Sequence, residues 1–426
     1  MKAIKLTVLF LAPFLYATAQ TKSTGFDPER LKRIDRFFEN EIKEKHIPGG
    51  TVLLIKKGEV VYNKAYGYAD IESKRKMKTD DIFRIASQTK AVTSVAAMML
   101  WEEGKFLLDD PISKYIPAFK SPQVLVSFNP KDSSYTTRPA KREITIRHLL
   151  SHTSGLIYNL PYMGDPELTA IYHKAGIAGI LGKASSTAGA QIPQLAKLPL
   201  LHDPGEFFTY SISTDVIGYL VELLSGQDLE TFFRERIFIP LDMSDTWFNL
   251  PADKVHRLIS IYQPTQNGEL IKADRVFDQS PANYPAVART NFSGGGGLSS
   301  TTADFAKFLQ MMLNKGKYKG KRLLSPSTVE LMLTNQLSDS TRPSKYSSKP
   351  ESYQFGLGFA LETEKNDFLL PVNKGTFNWA GAFATYYFVD PKEELIALYY
   401  TQEYLPALWN YYEEMTKIIT YQALSD

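Results

Sequence analysis

The sequence predicts an α/β (α+β) fold: an antiparallel sheet flanked by helices, formed by both chain ends, with a mainly helical region inserted between them. Three observations predict it. Strand-like segments lie near the N-terminus, at 51–55 and 59–68, and again near the C-terminus, at 355–361, 385–389 and 394–402. Between them, over roughly 121–291, short helical patterns alternate with loops rich in proline and serine. A helical pattern also stands at each end of the expected sheet. The expected organisation is therefore a sheet domain from 20–120 and 292–426, with an insertion at 121–291. No internal repeat is visible.

Residues 1–19 read as a signal peptide. Lys2 and Lys5 form a basic start, an apolar run follows, and Ala17-Thr18-Ala19 fits a small-x-small cleavage site. The run is too short to span a bilayer comfortably. The mature protein is expected to be periplasmic or secreted, with no stable membrane anchor after cleavage. The chain has no cysteine, which excludes a lipoprotein anchor, a disulfide framework, a thiolate metal site and a cysteine nucleophile.

Each element has a local reason. Asp27 is an N-cap and Pro28 suits the first helical position. Leu31, Ile34, Phe37, Phe38 and Ile42 then recur at helical spacing until Pro48-Gly49-Gly50 stops the pattern. Lys56-Lys57-Gly58 turns the first strand into the second. The basic run from Ser73 to Lys78 reads as a solvated loop. Residues 89–103 form a helix with Val92, Val95, Ala96, Met99 and Leu100 available for burial, and Gly104 ends it. In the insertion, 144–150 and 214–224 are the regular segments. Residues 302–313 are helical, Asp390-Pro391-Lys392 is a turn, and an aromatic-rich amphipathic helix at 406–424 closes the chain.

The chain has 426 residues, 43% of them hydrophobic, and a formal net charge of +3. It can bury a large core, and it carries no basic footprint for nucleic acid.

Ser87-Gln88-Thr89-Lys90 places a hydroxyl and an amine at i and i+3 at the start of a helix, within reach of each other. A serine is a weak nucleophile without a base beside it. A lysine packed among apolar groups at a positive helix terminus is driven toward its neutral form, and so can accept that proton. Ser73-Lys74-Arg75-Lys76 has the same letters in a charged loop where nothing desolvates the lysine. A plain helix N-terminus is the other reading of Ser87. No Gly-x-Ser-x-Gly or His-Glu-x-x-His occurs. His148 and His152 have metal-ligand spacing but no acidic third ligand nearby in sequence, so they are expected to hold backbone groups. Gly294 to Gly297 lack the Lys-Ser/Thr of a phosphate loop and read as a flexible loop.

Taken in order, several segments resemble the serine β-lactamase-related family of class C type, which also contains DD-peptidases and many esterases. They are Phe83-Arg84-Ile85-Ala86-Ser87-Gln88-Thr89-Lys90, the run from Ile144 to Leu156 that includes His148-Leu149-Leu150-Ser151-His152-Thr153-Ser154-Gly155, Pro204-Gly205-Glu206-Phe207-Phe208-Thr209-Tyr210-Ser211, and Gly295-Gly296-Gly297-Leu298-Ser299-Ser300. Ser-x-x-Lys belongs to β-lactamases and penicillin-binding proteins. The resemblance implies a β-lactamase/transpeptidase-like fold. It implies Ser87 as nucleophile, with Lys90 and Tyr210 as its proton-transfer partners; which of the two is the main base stays open. It places Trp379-Ala380-Gly381 at the third motif and the Ser87 and Ala382 N–H groups at the oxyanion hole. It makes His148 and His152 structural and implies no metal or organic cofactor.

Two departures matter. Ile212 stands where the second motif, Tyr-x-Asn, has its asparagine, and Trp379 stands where the third motif has a cation. Penicillins and D-Ala-D-Ala peptides carry a carboxylate which that cation would hold, and a site without the partner loses discrimination for it. Ile212, Trp379, Ala380 and Gly381 are thus expected to line a cleft for neutral acyl substrates. The expected activity is that of an exported serine hydrolase, most of all a carboxylesterase, acting on a small-molecule ester or amide. The alternatives are a β-lactamase or D-Ala-D-Ala carboxypeptidase, an acyltransferase using the same acyl-enzyme, and a catalytically silent peptidoglycan-fragment binding protein.

Overall fold

The computed structural model describes residues 25–160, 164–177, 179, 181–277, 280–345 and 350–425. The proposed signal peptide at 1–19 lies outside the described residues.

Asp27 caps the first helix, Pro28–Lys43, by accepting from the N–H groups of Glu29 and Arg30. Gly49–Lys56 and Glu59–Asp70 follow as an antiparallel hairpin. Its turn uses positive φ at Lys57 and Gly58, the backbone that matches strand twist. Gly49–Lys56 then pairs on its other side with Leu395–Tyr400, from the far end of the chain.

This pairing builds an eight-stranded antiparallel sheet. Its order is Gln354–Phe355, Ala360–Leu361, Phe377–Gly381, Thr385–Asp390, Leu395–Tyr400, Gly49–Lys56, Glu59–Asp70, Arg75–Lys76. Side chains alternate between two cores. Val52, Leu54, Tyr386, Phe388, Ala397 and Tyr399 pack against Pro28–Lys43 and Trp409–Tyr421. Leu53, Tyr387, Val389, Ile396 and Leu398 join the larger core, to which Thr89–Glu102 and Thr302–Leu313 contribute. The predicted α/β fold is the observed one.

Four local expectations are corrected. The segment 355–361 is two short strands, because Gly358 at φ +97° packs its backbone against Ser94 and reverses the chain. The glycine run 294–297 is a buried turn, with Gly294, Gly295 and Gly297 pressed against other backbone or side chains. The helix Thr89–Glu102 is buried on every face from Thr89 to Leu100, so its apolar stripe understated its position at the centre of the molecule. The insertion holds helices such as Pro166–Lys174, Ala188–Leu195 and Ser213–Ser225, but also a hairpin of Gln123–Asn129 and Ser134–Pro139. That hairpin is mostly exposed; Val124, Val126 and Phe128 alternate along its first strand, but its second strand, Ser134–Pro139, is polar and carries no such pattern. Around Arg75–Lys76 the basic run stays largely exposed as an edge strand.

Candidate active site

Ser87 sits in a tight 3-10 turn, Ala86–Gln88, that leads directly into Thr89–Glu102. Ala86 is held at φ +41°, a conformation that costs energy for a residue with a Cβ. The surroundings enforce it. The buried Arg84 donates from Nη1 to the Ile259 carbonyl at 2.8 Å, and its N–H donates to Gln402 Oε1 at 2.9 Å. The Tyr400 hydroxyl donates to Gln88 Oε1, and Thr89 Oγ1 donates to the Ala86 carbonyl at 2.6 Å. The nucleophile candidate thus stands on a turn pinned from both sides.

Lys90 is 1% exposed. Its Nζ donates to the Gly295 carbonyl at 2.6 Å and lies 4.6 Å from the Tyr210 ring centroid and 5.2 Å from that of Tyr158. Burial drives its pKa down to about 7, against a smaller opposing pull from Asp215. Among the described residues, Ser87 and Lys90 do not hydrogen-bond to each other. Sequence spacing placed them within reach; the glycine turn holds the amine instead.

Tyr210 lies between the short strand Phe207–Phe208 and the helix Ser213–Ser225. Its hydroxyl is buried and makes no hydrogen bond of ordinary geometry, yet Ser87, Trp379 and Tyr158 are close enough to favour its phenolate. Burial outweighs them and pushes its pKa up, so it rests protonated. Desolvation acts on both groups: it holds Tyr210 protonated and lowers the pKa of Lys90 to about 7.

Trp379 packs its indole 5.3 Å from the Tyr210 ring and 5.3 Å from that of Phe355. Gly381 follows it on the same strand face, and a Cβ there would stand 2.2 Å from the Ile85 carbonyl oxygen. Only glycine lets this strand end approach the turn that carries Ser87. Ala382 comes next, and among the described residues neither its N–H nor that of Ser87 is committed to a backbone acceptor. Ala380 does not line the cleft with its side chain: strand alternation turns it to the opposite face, against the core formed with Tyr386 and Trp409. Ile212 borders a cavity of about 30 Å³ with Ala188, Ile192, Leu195, Asp215 and Phe292.

Sequence reasoning missed two members of this cluster. Tyr158 brings a buried hydroxyl with no hydrogen-bond partner among the described residues and a ring 5.5 Å from that of Tyr210. Asp215 sits in the first turn of Ser213–Ser225 and accepts from Ser293 Oγ at 2.7 Å and the Gly295 N–H at 3.2 Å. An acid in the first turn of a largely apolar helix was the available signal. The two histidines behave as expected. His148 Nδ1 accepts the Thr145 N–H at 3.1 Å, and His152 Nδ1 accepts the Ser211 N–H at 3.3 Å. Burial holds both well below the ordinary histidine pKa, His148 at about 4, which leaves them as neutral backbone acceptors.

A family model described as Beta-lactamase matches residues 34–408. The chain belongs to the beta-lactamase family. Within this family it is 29% identical over 400 residues to a putative D-alanyl-D-alanine carboxypeptidase of Escherichia coli, covering 89% of this chain and 83% of that one. It is 27% identical over 381 residues to Esterase EstB of Burkholderia gladioli, covering 84% and 86%. Among solved structures it resembles EstCE1, a hydrolase with promiscuous acyltransferase activity. The TM-score is 0.77 at 27% identity, over 92% of this chain and 99% of that one. The beta-lactamase family is one of serine hydrolases, and that coarser activity is shared by its esterase and peptidase members.

Proposed function

We propose that this chain is an exported serine hydrolase that cleaves carboxylic esters through a Ser87 acyl-enzyme. One observation carries the choice of substrate. Trp379 occupies the third-motif position with an indole packed on Tyr210 and Phe355, and Ile212 adds a second apolar group. An ester of neutral, apolar character suits such walls better than a substrate that needs a cation for its carboxylate.

Tyr210 interacts with Ser87 through its hydroxyl, and Lys90 is the resting base. As Ser87 Oγ attacks the acyl carbon, its proton moves into the Tyr210–Lys90 pair, whose neutral amine is ready to receive it. The oxyanion is received by the Ser87 and Ala382 N–H groups, each donor contributing about 3 kcal/mol in comparable sites. The pair returns the proton to the leaving alkoxide. Water then attacks the acyl-enzyme by the same route and frees Ser87.

Hydrolysis of p-nitrophenyl butyrate beside nitrocefin, by wild type and Ser87→Ala, tests this reading. Fast ester turnover that disappears in Ser87→Ala, with little nitrocefin signal, is the expected result. Dominant nitrocefin turnover would move the assignment to a β-lactamase or peptidase, and full activity in Ser87→Ala would remove Ser87 from the mechanism.

A further inference from the structure

Gly295 is gripped at both ends of one peptide unit's reach. Its N–H donates to Asp215 Oδ1 at 3.2 Å, and its carbonyl oxygen accepts from Lys90 Nζ at 2.6 Å. Ser293 Oγ donates to the same Asp215 oxygen at 2.7 Å. The turn is also stitched to the helix that carries Lys90. Thr93 Oγ1 donates to the Gly294 carbonyl at 2.7 Å, and the Leu298 N–H donates to Thr89 Oγ1 at 3.1 Å. A Cβ on Gly295 would stand 2.3 Å from Asp215 Oδ2 and 2.9 Å from the Tyr158 hydroxyl. The carboxylate, the phenol and the glycine backbone therefore meet at one point, and Oδ2 is buried there without a hydrogen-bond partner among the described residues.

We propose that Asp215 is a positioning residue for Lys90: through Gly295 it fixes where the amine stands, and its negative charge sets how readily that amine takes up a proton. The proposal rests on the Ser87–Lys90 reading above. The groups facing this pair come from four segments: Lys90 from its central helix, His152 and Tyr158 from the segment after Ile146–Leu150, Tyr210 from the loop before Ser213–Ser225, and Asp215 from that helix. His152 is held uncharged by burial and by Lys90, and burial keeps both tyrosines protonated. Among the described residues Asp215 is the carboxylate that acts on Lys90, and it favours the charged amine. Its own burial pulls the other way and raises its pKa. Burial thus acts against the charge on both groups, and each charge favours the other.

The test is the pH dependence of Ser87 labelling by a fluorophosphonate probe, with the labelled peptide mapped by mass spectrometry and folding followed by calorimetry. This readout does not depend on which ester is the natural substrate. Asp215→Asn keeps an oxygen for Ser293 and Gly295 but loses the charge. Its acid limb is expected to move to lower pH by about half a unit or more. Asp215→Glu keeps the charge and displaces the oxygen, so its limb stays near that of wild type while the plateau rate falls about tenfold. An unmoved limb in folded Asp215→Asn overturns the role of Asp215 alone. Should Asp215→Asn not fold, a limb that moves down in Asp215→Glu overturns it equally. Wild-type protein that takes no label at Ser87 overturns the nucleophile assignment, and the Asp215 role falls with it.

Discussion

The indole of Trp379 lies against the phenol of Tyr210 with ring centroids 5.3 Å apart and planes tilted by 54°. Such a contact contributes about 1 kcal/mol beyond the area it buries. It joins the residue that makes this cleft apolar to a residue whose hydroxyl interacts with the nucleophile, so substrate choice and proton transfer share one wall.

Trp379→Ala removes that wall. The kcat/KM for p-nitrophenyl butyrate is expected to fall about fivefold from the stacking contribution alone, with the fall in kcat because Tyr210 loses its support. Steady-state kinetics separates the two constants. A rise in KM at constant kcat would mean that Trp379 only binds substrate.

Lys90 must be neutral to accept a proton, and burial places its pKa at about 7. Acylation is therefore expected to rise with pH through that value. Single-turnover acylation between pH 5 and 9 checks it, and a rate that falls with pH over this range would exclude Lys90 as the base.

The same burial acts on stability with a definite sign. The folded Lys90 pKa lies below the ordinary lysine value of 10.5, so between about 7 and 10.5 the unfolded chain binds more protons. This contribution to stability is lost as pH falls through that window and recovered as pH rises. Lys90→Met is expected to raise Tm at pH 7 while cutting kcat by about 10²–10⁴-fold. Calorimetry beside the ester assay tests both halves; a lower Tm would show that the Gly295 hydrogen bond outweighs the desolvation.

Gly381→Ala drives a methyl into the Ile85 carbonyl oxygen, 2.2 Å away, and Thr385 Oγ1, 2.4 Å away. The strand end must retreat from the Ser87 turn and take the Ala382 N–H with it. The expected loss is about 10²-fold in kcat and about 1–3 kcal/mol in stability. Urea unfolding and kinetics on the same sample measure both.

Ile192 and Leu195, on the helix Ala188–Leu195, wall the cavity beside Ile212. If that cavity receives the acyl chain, Ile192→Ala enlarges it and shifts preference from p-nitrophenyl butyrate toward the hexanoate and octanoate. The ratio of kcat/KM values along the ester series is the measurement; an unchanged ratio would place the acyl chain elsewhere.

The local elements were legible where the pattern is local. Asp27 and Pro28 start a helix, Lys57 and Gly58 turn a hairpin, and residues 302–313 repeat at helical spacing, because caps, turns and periodicity act within a few residues. Ser87, Lys90, Tyr210 and Trp379 were found by ordered motifs, and the structure brings them into one cluster. The hairpin at Gln123–Asn129 was not legible because its alternating Val124, Val126 and Phe128 have no apolar partner pattern in the polar second strand, and Ala380 was misplaced because a motif names a stretch of chain whereas a strand sends alternate side chains to opposite faces.

By itself the sequence determined the sheet-forming ends, the helix boundaries and the chemical inventory of the site. Tertiary structure alone decided that Lys90 donates to the Gly295 carbonyl, that Asp215 holds the N–H of the same residue, and that Tyr158 joins them. The reason is physical. A short-range pattern encodes which groups are present, but a proton's position depends on water excluded and charges gathered from chain segments more than 50 residues apart, and only packing brings those together.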